Sequence, residues 1–321
     1  MYKQIRSVVA TDFEAVDRYI IEQLHSDVPL VENIGQYLVE AGGKRMRPVT
    51  VLLCARACGI RTNRHIQLAA VIEFIHTATL LHDDVVDTSS LRRGRPTANH
   101  KWNNPSSVLV GDFIYSRAFQ ILVEVGDMRI MKIIADTTNT IAEGEVMQLI
   151  NKHNADTLEA NYMKVIRDKT AILFQAAAQC GAILAAADHK TELALRDFGM
   201  HLGMAFQLVD DVLDYDGDAT AMGKNIGDDL AEGKPTLPLI YAMQNSSEEA
   251  ATLIRSSLAS SGTDSLQQII DIVKGSGALD YARSLAEKEI TAARRCLQPL
   301  TETTYHNALL QMAEFALRRD N

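Results

Sequence analysis

The 321-residue sequence predicts an all-α protein, and three observations support this fold class. Apolar residues recur at helical intervals along most of the chain. Proline is absent from 106 to 234, so nothing in that span breaks a helix. No Asn-Gly or Asp-Gly turn separates two alternating runs, so no β-hairpins are predicted.

Polar breaks separate the predicted helices in order along the chain. They fall at 59–63, 89–105, 151–157, 217–238, 256–265 and 275–277. None of these breaks is long enough, or biased enough in amino-acid composition, to be an interdomain linker, so one domain is predicted over 1–321. The Ala-rich stretch 171–187 is shorter than a bilayer span and predicts a buried helix. Further along, Ala282, Ala286 and Ile290 lie on one apolar side of a helix.

The composition indicates a globular protein that does not coat nucleic acid. Lys and Arg number 32 against 41 Asp and Glu, and the formal charge of −9 disfavours nucleic acid and anionic membranes as main partners. The four cysteines lack metal or redox spacing, which predicts free thiols in a reducing compartment. Residues 1–14 contain no apolar signal segment, so a cytoplasmic location is expected.

Two similar acidic motifs are the most informative feature. Leu81–Asp87 and Leu208–Asp214 share the pattern L-x-D-D-V-x-D, with aspartates at i, i+1 and i+4 of an apolar helix. Like charges this close repel each other unless a cation neutralises them. All-carboxylate ligands favour a hard cation, and Mg²⁺ typically binds such groups together with substrate phosphates.

The residues in phase with these motifs indicate that each lines a cavity. Gln207 continues the second acidic motif on one helical face, and His76 lies on the same stripe as Asp83 and Asp87. The loop D-x-D-x-D-G of an EF-hand is absent, so a calcium loop is excluded.

Basic residues are grouped near the acidic motifs. They occur at Gly42–Pro48, Arg92–Pro96, Lys169-Thr170, Lys224 and Lys234. The guanidinium groups of arginine and the ammonium groups of lysine, placed beside Mg²⁺ sites, suit a phosphate or diphosphate group. The glycine-rich segments Gly217–Lys224 and Gly227–Lys234 have the wrong spacing for a Walker loop, and this stretch predicts a mobile lid.

Seven motifs together resemble those of the trans-isoprenyl diphosphate synthases, and the resemblance covers nearly the whole chain. They are GGKRMRP (Gly42–Pro48), EFIHTATLLHDDVVD (Glu73–Asp87), RRGRPTAN (Arg92–Asn99), GDFIYSRAF (Gly111–Phe119), KT (Lys169–Thr170), FQLVDDVLD (Phe206–Asp214) and GKNIGDDLAEGKPTLP (Gly223–Pro238). The sequences of these motifs are most similar to those of bacterial long-chain members, which make quinone side chains.

The resemblance implies an isoprenoid synthase fold, a single bundle of antiparallel helices around a deep central cavity, and a homodimer. It implies that Mg²⁺ is held by Asp83, Asp84, Asp87, Asp210, Asp211 and Asp214. It assigns isopentenyl diphosphate to Lys44, Arg47, His76 and Arg93. It assigns the allylic diphosphate to Arg92, Lys169, Thr170, Gln207, Lys224 and Lys234, with Lys169 also counted as catalytic.

The implied reaction is ionisation of the allylic diphosphate, condensation with isopentenyl diphosphate, and loss of a proton. Small Ala78 and Thr79, roughly 6–8 Å before Asp83 along the helix, predict a long product. The floor of the chain-length pocket is predicted at Leu122, Ile134 and Met147.

The expected product is octaprenyl diphosphate. Twenty- and forty-five-carbon products are alternatives, as is a non-catalytic partner subunit of a heteromeric synthase. Contact with a membrane is expected to be transient at most.

Overall fold

The computed structural model describes residues 1–217, 226–260 and 265–319, and most of them are helical. The helices are α1 (Tyr2–Ser7), α2 (Ala10–Gln23), α3 (Pro29–Glu40), α4 (Met46–Ala57), α5 (Arg64–Val86), α6 (Ala98–Lys101), α7 (Asn104–Val125), α8 (Met128–Asn151), α9 (Glu159–Ile166), α10 (Ile172–Leu184), α11 (His189–Asp216), α12 (Asp228–Ala231), α13 (Leu237–Asn245), α14 (Glu248–Ser260), α15 (Leu266–Gly275), α16 (Ala278–Cys296) and α17 (Thr304–Arg318). A π-helical turn, Arg167–Ala171, joins α9 to α10. The predicted all-α class is therefore confirmed.

A short β-hairpin corrects the expectation that hairpins are absent. Strands β1 (Leu91–Arg92) and β2 (Arg95–Pro96) pair antiparallel, inside the predicted polar break 89–105. Arg93 and Gly94 between them have φ of 53° and 71°, the left-handed pair that a tight two-residue turn requires. The sequence rule missed this turn because it considered only Asn-Gly and Asp-Gly pairs.

The described residues group into two compact units. The first unit comprises 1–138, 173–199 and 296–312, and the second comprises the described residues within 139–172, 200–295 and 313–321. No long linker divides them, since α8, α11 and α17 each continue from one unit into the other. The single domain over 1–321 stays a prediction.

Helix α5 is the centre of the first unit. It packs against α2, α4 and α7, and its Leu68, Val71, Ile72 and Ile75 are fully buried. A helix that is apolar on all sides is stable only inside a protein. Helix α5 therefore places its C-terminal end, which bears the first acidic motif, on a rigid support.

The Ala-rich helix α10 is buried, which confirms the buried helix predicted at 171–187. It packs very closely against α4 and α11 in the first unit. A Cβ atom at Gly181 would lie 2.9 Å from the Val51 carbonyl oxygen of α4. A Cβ atom at Gly199 of α11 would lie 2.4 Å from the Phe174 carbonyl oxygen of α10. These backbones can approach each other only because the two positions carry no side chain.

Gly199→Ala is expected to lower the free energy of unfolding by about 2–3 kcal/mol, because the added methyl group must push α10 and α11 apart. Urea denaturation followed by circular dichroism measures this change. Gly275→Ala is the matched control, since nothing lies within 4 Å of a Cβ atom there. Equal stability of the two variants would contradict the close packing of α10 and α11.

The second unit supports the second acidic motif on α11. Its core includes Tyr215 of α11, Ile254 and Leu258 of α14, and Ile269 of α15, all nearly inaccessible to solvent. In α16, Ala282, Ala286 and Ile290 are buried, as the sequence predicts.

Within the described residues, no helix is both long enough and apolar enough to cross a membrane.

Candidate active site

The first acidic motif lies at the C-terminal end of α5. Asp83 and Asp87 are half-exposed and one turn apart, and the Asp87 backbone N–H donates to the Asp83 carbonyl oxygen at 2.7 Å. Carbonyl groups at the end of a helix carry partial negative charge, which attracts cations. The end of α5 thus presents two carboxylates in a setting that favours a bound cation.

The third carboxylate of this motif, Asp84, is buried and paired with Arg92. The Nε and Nη2 atoms of Arg92 lie 2.8 and 2.7 Å from Asp84 Oδ1. Burial raises the pKa of Asp84, and the charge of Arg92 opposes that shift. A predicted metal ligand and a predicted diphosphate-binding residue are therefore in direct contact.

Two of the predicted isopentenyl diphosphate residues, Arg47 of α4 and His76 of α5, are in contact. Arg47 stacks on the Phe174 ring, with its guanidinium carbon 4.4 Å from the ring centroid. Its Nη1 donates to His76 Nε2 at 3.3 Å. Burial, followed by the charges of Arg47 and Arg93, holds the pKa of His76 well below its usual range. His76 is therefore neutral at pH 7, and its Nε2 acts as an acceptor.

One pocket of the first unit brings together several predicted site residues. Its walls include Asp84, Arg92 and Arg93, together with the buried carboxylate of Glu73 and the guanidinium of Arg45. The Nε atom of Arg45 lies 3.8 Å from Glu73 Oε1. The pocket therefore has a mainly basic polar lining that suits an anionic group.

The second acidic motif lies near the C-terminal end of α11 and is held by a hydrogen-bond network. Tyr162 donates to Asp211 Oδ2 at 2.6 Å, and Gln207 Nε2 donates to Asp211 Oδ1 at 2.7 Å. Thr170 in turn donates to Gln207 Oε1 at 3.0 Å. Burial and the charge of Asp229 raise the pKa of Asp211 to about 8, while the bonds from Tyr162 and Gln207 favour the ionised form.

The structure also shows a contact to Asp210 that the sequence did not predict. Arg319, just after α17, donates from Nη2 to Asp210 Oδ1 at 3.0 Å and to the Phe206 carbonyl oxygen at 2.9 Å. Its guanidinium carbon lies 3.8 Å from the centroid of the Phe206 ring. A nearly buried cation thus accompanies the first carboxylate of this motif.

Two of the predicted lysines, Lys169 and Lys234, have acidic partners in the second unit. Lys169 lies in the π-helical turn, and its Nζ is 2.7 Å from Glu145 Oε2. Such turns are frequent at functional sites. Lys234 forms an ion pair with Glu232. Lys224 lies outside the described residues.

The described part of the predicted lid is tied to the second acidic motif. Backbone N–H groups of Gly227 and Asp229 donate to the carbonyl and to Oδ2 of Asp214, at 2.9 and 3.2 Å. The Lys234 N–H donates to the Asp229 carbonyl at 2.8 Å, which closes a compact turn after α12. Motion of this segment stays a prediction.

The first acidic motif suits a divalent cation that takes its other ligands from water or from a phosphate group. Within the described ranges, no group of three or more His, Cys, Asp or Glu side chains is arranged so that it could hold a metal ion. Mg²⁺ binds one or two carboxylates and completes its octahedron with water and phosphate oxygens. The half-exposed carboxylates of Asp83 and Asp87 suit such an open site.

Three of the five predicted chain-length residues lie in the core of the first unit. Ala78, Leu122 and Ile134 are almost fully buried in the first unit. Thr79 is half-exposed, and its hydroxyl donates to the His76 carbonyl oxygen at 2.8 Å. Met147 of α8 belongs to the second unit and is half-buried. Their role in setting product length stays a prediction.

The polyprenyl synthetase family model matches residues 28–274. The chain belongs to the polyprenyl synthetase family. Octaprenyl diphosphate synthase of Escherichia coli is 48% identical to this family member over 319 residues, which cover 99% of each chain. The all-trans-nonaprenyl-diphosphate synthase (geranyl-diphosphate specific) of Rhodobacter capsulatus is 52% identical over 320 residues, covering 99% of this chain and 98% of that one.

A solved structure of another family member has nearly the same fold. The crystal structure of polyprenyl synthase from Caulobacter crescentus, complexed with calcium and isoprenyl diphosphate, has a TM-score of 0.98 at 40% identity. The match covers 100% of this chain and 98% of that one. The predicted family, the isoprenoid synthase fold and the enzyme class, a prenyltransferase that makes long-chain trans-prenyl diphosphates, are therefore confirmed.

Proposed function

We propose that this polyprenyl synthetase makes octaprenyl diphosphate by adding isopentenyl diphosphate units to an allylic diphosphate such as farnesyl diphosphate. The observation that supports this product most directly is the 48% identity, over the full chain, to an octaprenyl diphosphate synthase. Small Ala78 and Thr79 before the first acidic motif are consistent with a long product.

A second candidate is a nonaprenyl product started from geranyl diphosphate. It is favoured by the 52% identity to the geranyl-specific enzyme of Rhodobacter capsulatus. The two candidates differ only in the primer and in one isoprene unit of the product. The proposed site residues and the proposed reaction are the same for both.

We propose Mg²⁺ as the cation of both acidic motifs. The proposed ligands are Asp83, Asp84, Asp87, Asp210, Asp211 and Asp214. Their donor atoms are carboxylate oxygens, which hard cations prefer. The cation supplies positive charge that neutralises the diphosphate leaving group. Calcium in the Caulobacter crescentus complex supports a divalent cation of this hard class.

The basic residues are proposed to bind the two diphosphates. Lys44, Arg47, His76 and Arg93 would hold isopentenyl diphosphate, and Arg92, Lys169, Thr170, Gln207, Lys224 and Lys234 would face the allylic diphosphate. The Asp84–Arg92 and Lys169–Glu145 contacts keep these cations in place before an anion arrives. A bound diphosphate would form hydrogen bonds with the donor groups of each cation that its acidic partner does not occupy.

The proposed reaction begins when the allylic C–O bond breaks and the bonding electron pair leaves with the diphosphate. Positive groups around the leaving group stabilise its developing charge. The double bond of isopentenyl diphosphate then attacks the allylic carbocation, and a new C–C bond forms. A proton is lost to the released diphosphate, which yields an allylic diphosphate longer by one unit.

The proposal extends to a homodimer and to a product used as a quinone side chain. Both are what the resemblance to the trans-isoprenyl diphosphate synthases implies. The expected cytoplasmic location stays a prediction.

Product length tests the proposal directly. The purified protein is incubated with Mg²⁺, labelled isopentenyl diphosphate and either farnesyl or geranyl diphosphate, and the products are sized by mass spectrometry. A forty-carbon product is expected, and a forty-five-carbon product from geranyl diphosphate would favour the second candidate. Folded protein that elongates no primer would contradict catalysis and favour the partner-subunit alternative.

A further inference from the structure

The loop that carries Lys44 has an unusual backbone. Gly42, Gly43 and Arg45 all have positive φ, at 66°, 135° and 51°. Left-handed conformations are unfavourable for arginine, so contacts from elsewhere must stabilise this path. The direction of the Lys44 side chain therefore depends on what holds the loop.

Side chains from three separate segments hold this loop. Arg93 of the hairpin donates to the Gly42 carbonyl oxygen, and Arg45 forms an ion pair with Asp17 of α2. The hydroxyl of Tyr2, in α1, donates to the carbonyl oxygen of Lys44 itself. Of these contacts, only the one from Tyr2 is made to Lys44.

Helix α1 is firmly attached to the first unit. Ile5 is completely buried, and its neighbour Tyr2 is half-buried. Burial raises the pKa of Tyr2 far above neutral pH, so its hydroxyl keeps its proton and remains a donor. The match to the family model begins at residue 28, so it does not include α1.

We infer that Tyr2 is a positioning residue for isopentenyl diphosphate. Its hydroxyl fixes the Lys44 carbonyl, and this sets the direction in which the Lys44 side chain leaves the loop. The inference rests on the proposed role of Lys44 in binding isopentenyl diphosphate. It adds the first helix of the chain to the parts that build this substrate site.

The hydroxyl can be removed without disturbing the helix. Tyr2→Phe keeps the ring that packs beside the loop and deletes one hydrogen bond. Since the net free-energy contribution of one hydrogen bond is modest, the KM for isopentenyl diphosphate is expected to rise about 3- to 10-fold. The kcat and the KM for the allylic diphosphate are expected to stay at wild-type values, and the thermal midpoint is expected to fall by a few degrees at most.

Initial-rate kinetics with each substrate varied in turn provide the test. The matched control is Tyr281→Phe, which deletes a tyrosine hydroxyl that donates to Glu159 in the second unit. This control is expected to leave the KM for isopentenyl diphosphate unchanged. Ile5→Ala is a second variant: it loosens α1 while keeping the hydroxyl, and it is expected to lower the thermal midpoint and also raise that KM.

The possible outcomes separate this inference from the proposed function. A wild-type KM in Tyr2→Phe overturns the inference, and so does a parallel change in both KM values, kcat and thermal midpoint, which indicates general damage. If the wild-type protein incorporates no isopentenyl diphosphate, the proposed function fails first. A selective rise in one KM supports the positioning role.

Discussion

Asp83→Asn is expected to lower kcat by about 1000-fold, while the KM for isopentenyl diphosphate changes little. Asparagine keeps the shape of the side chain but removes the negative charge that a cation needs at the end of α5. Losing one electrostatic contact to a developing charge typically costs 10²- to 10³-fold in rate, and weaker cation binding adds to this loss. Steady-state kinetics over a range of Mg²⁺ concentrations measures both effects.

The control for this prediction is another aspartate in the first unit. Asp136→Asn removes an exposed carboxylate of α8 that pairs with Lys132 at 2.6 Å. Exposed pairs contribute little to stability, so this variant is expected to match the wild-type protein. An Asp83→Asn enzyme that retains a tenth or more of wild-type kcat would show that Asp83 is not a cation ligand.

The helices and the acidic motifs could be predicted because their signals are local. The first acidic motif lies within seven consecutive residues, and apolar periodicity places it on α5 without any knowledge of packing. The buried helix at 171–187 could be predicted for the same reason. Each of these features depends on residues a few positions apart.

Two partners of the second acidic motif, Tyr162 and Arg319, are distant from it in sequence and were not predicted. Tyr162 precedes its partner Asp211 by 49 residues, and Arg319 follows Asp210 by 109. Tyr162 had one available signal, since seven residues, or about two turns of a regular α-helix, separate it from the predicted site residue Lys169. The π-helical turn at Arg167–Ala171 interrupts that regular period. Arg319 had none, because surface arginines near chain ends are common.

Arg47→Gln is expected to raise the KM for isopentenyl diphosphate about 100-fold and to change the KM for the allylic diphosphate much less. Hydrogen bonds to charged groups contribute about 1.5–3 kcal/mol each, and a guanidinium makes two such bonds to a diphosphate. The stacking of Arg47 on Phe174 orients the guanidinium before substrate binds. Initial rates at varied isopentenyl diphosphate measure the change.

Arg47→Lys separates charge from geometry at the same position. Lysine keeps the charge but cannot form the paired bonds or the stack on Phe174, so most of the KM increase is expected to remain. Arg61→Gln, which removes an exposed arginine between α4 and α5, is the control for net charge and is expected to behave as wild type. Full rescue by lysine would mean that Arg47 contributes charge alone, and the preorganised guanidinium would then have no role in binding.

Because His76 is already neutral near pH 7, the KM of the wild-type enzyme for isopentenyl diphosphate is expected to show no His76 titration between about pH 6 and 8.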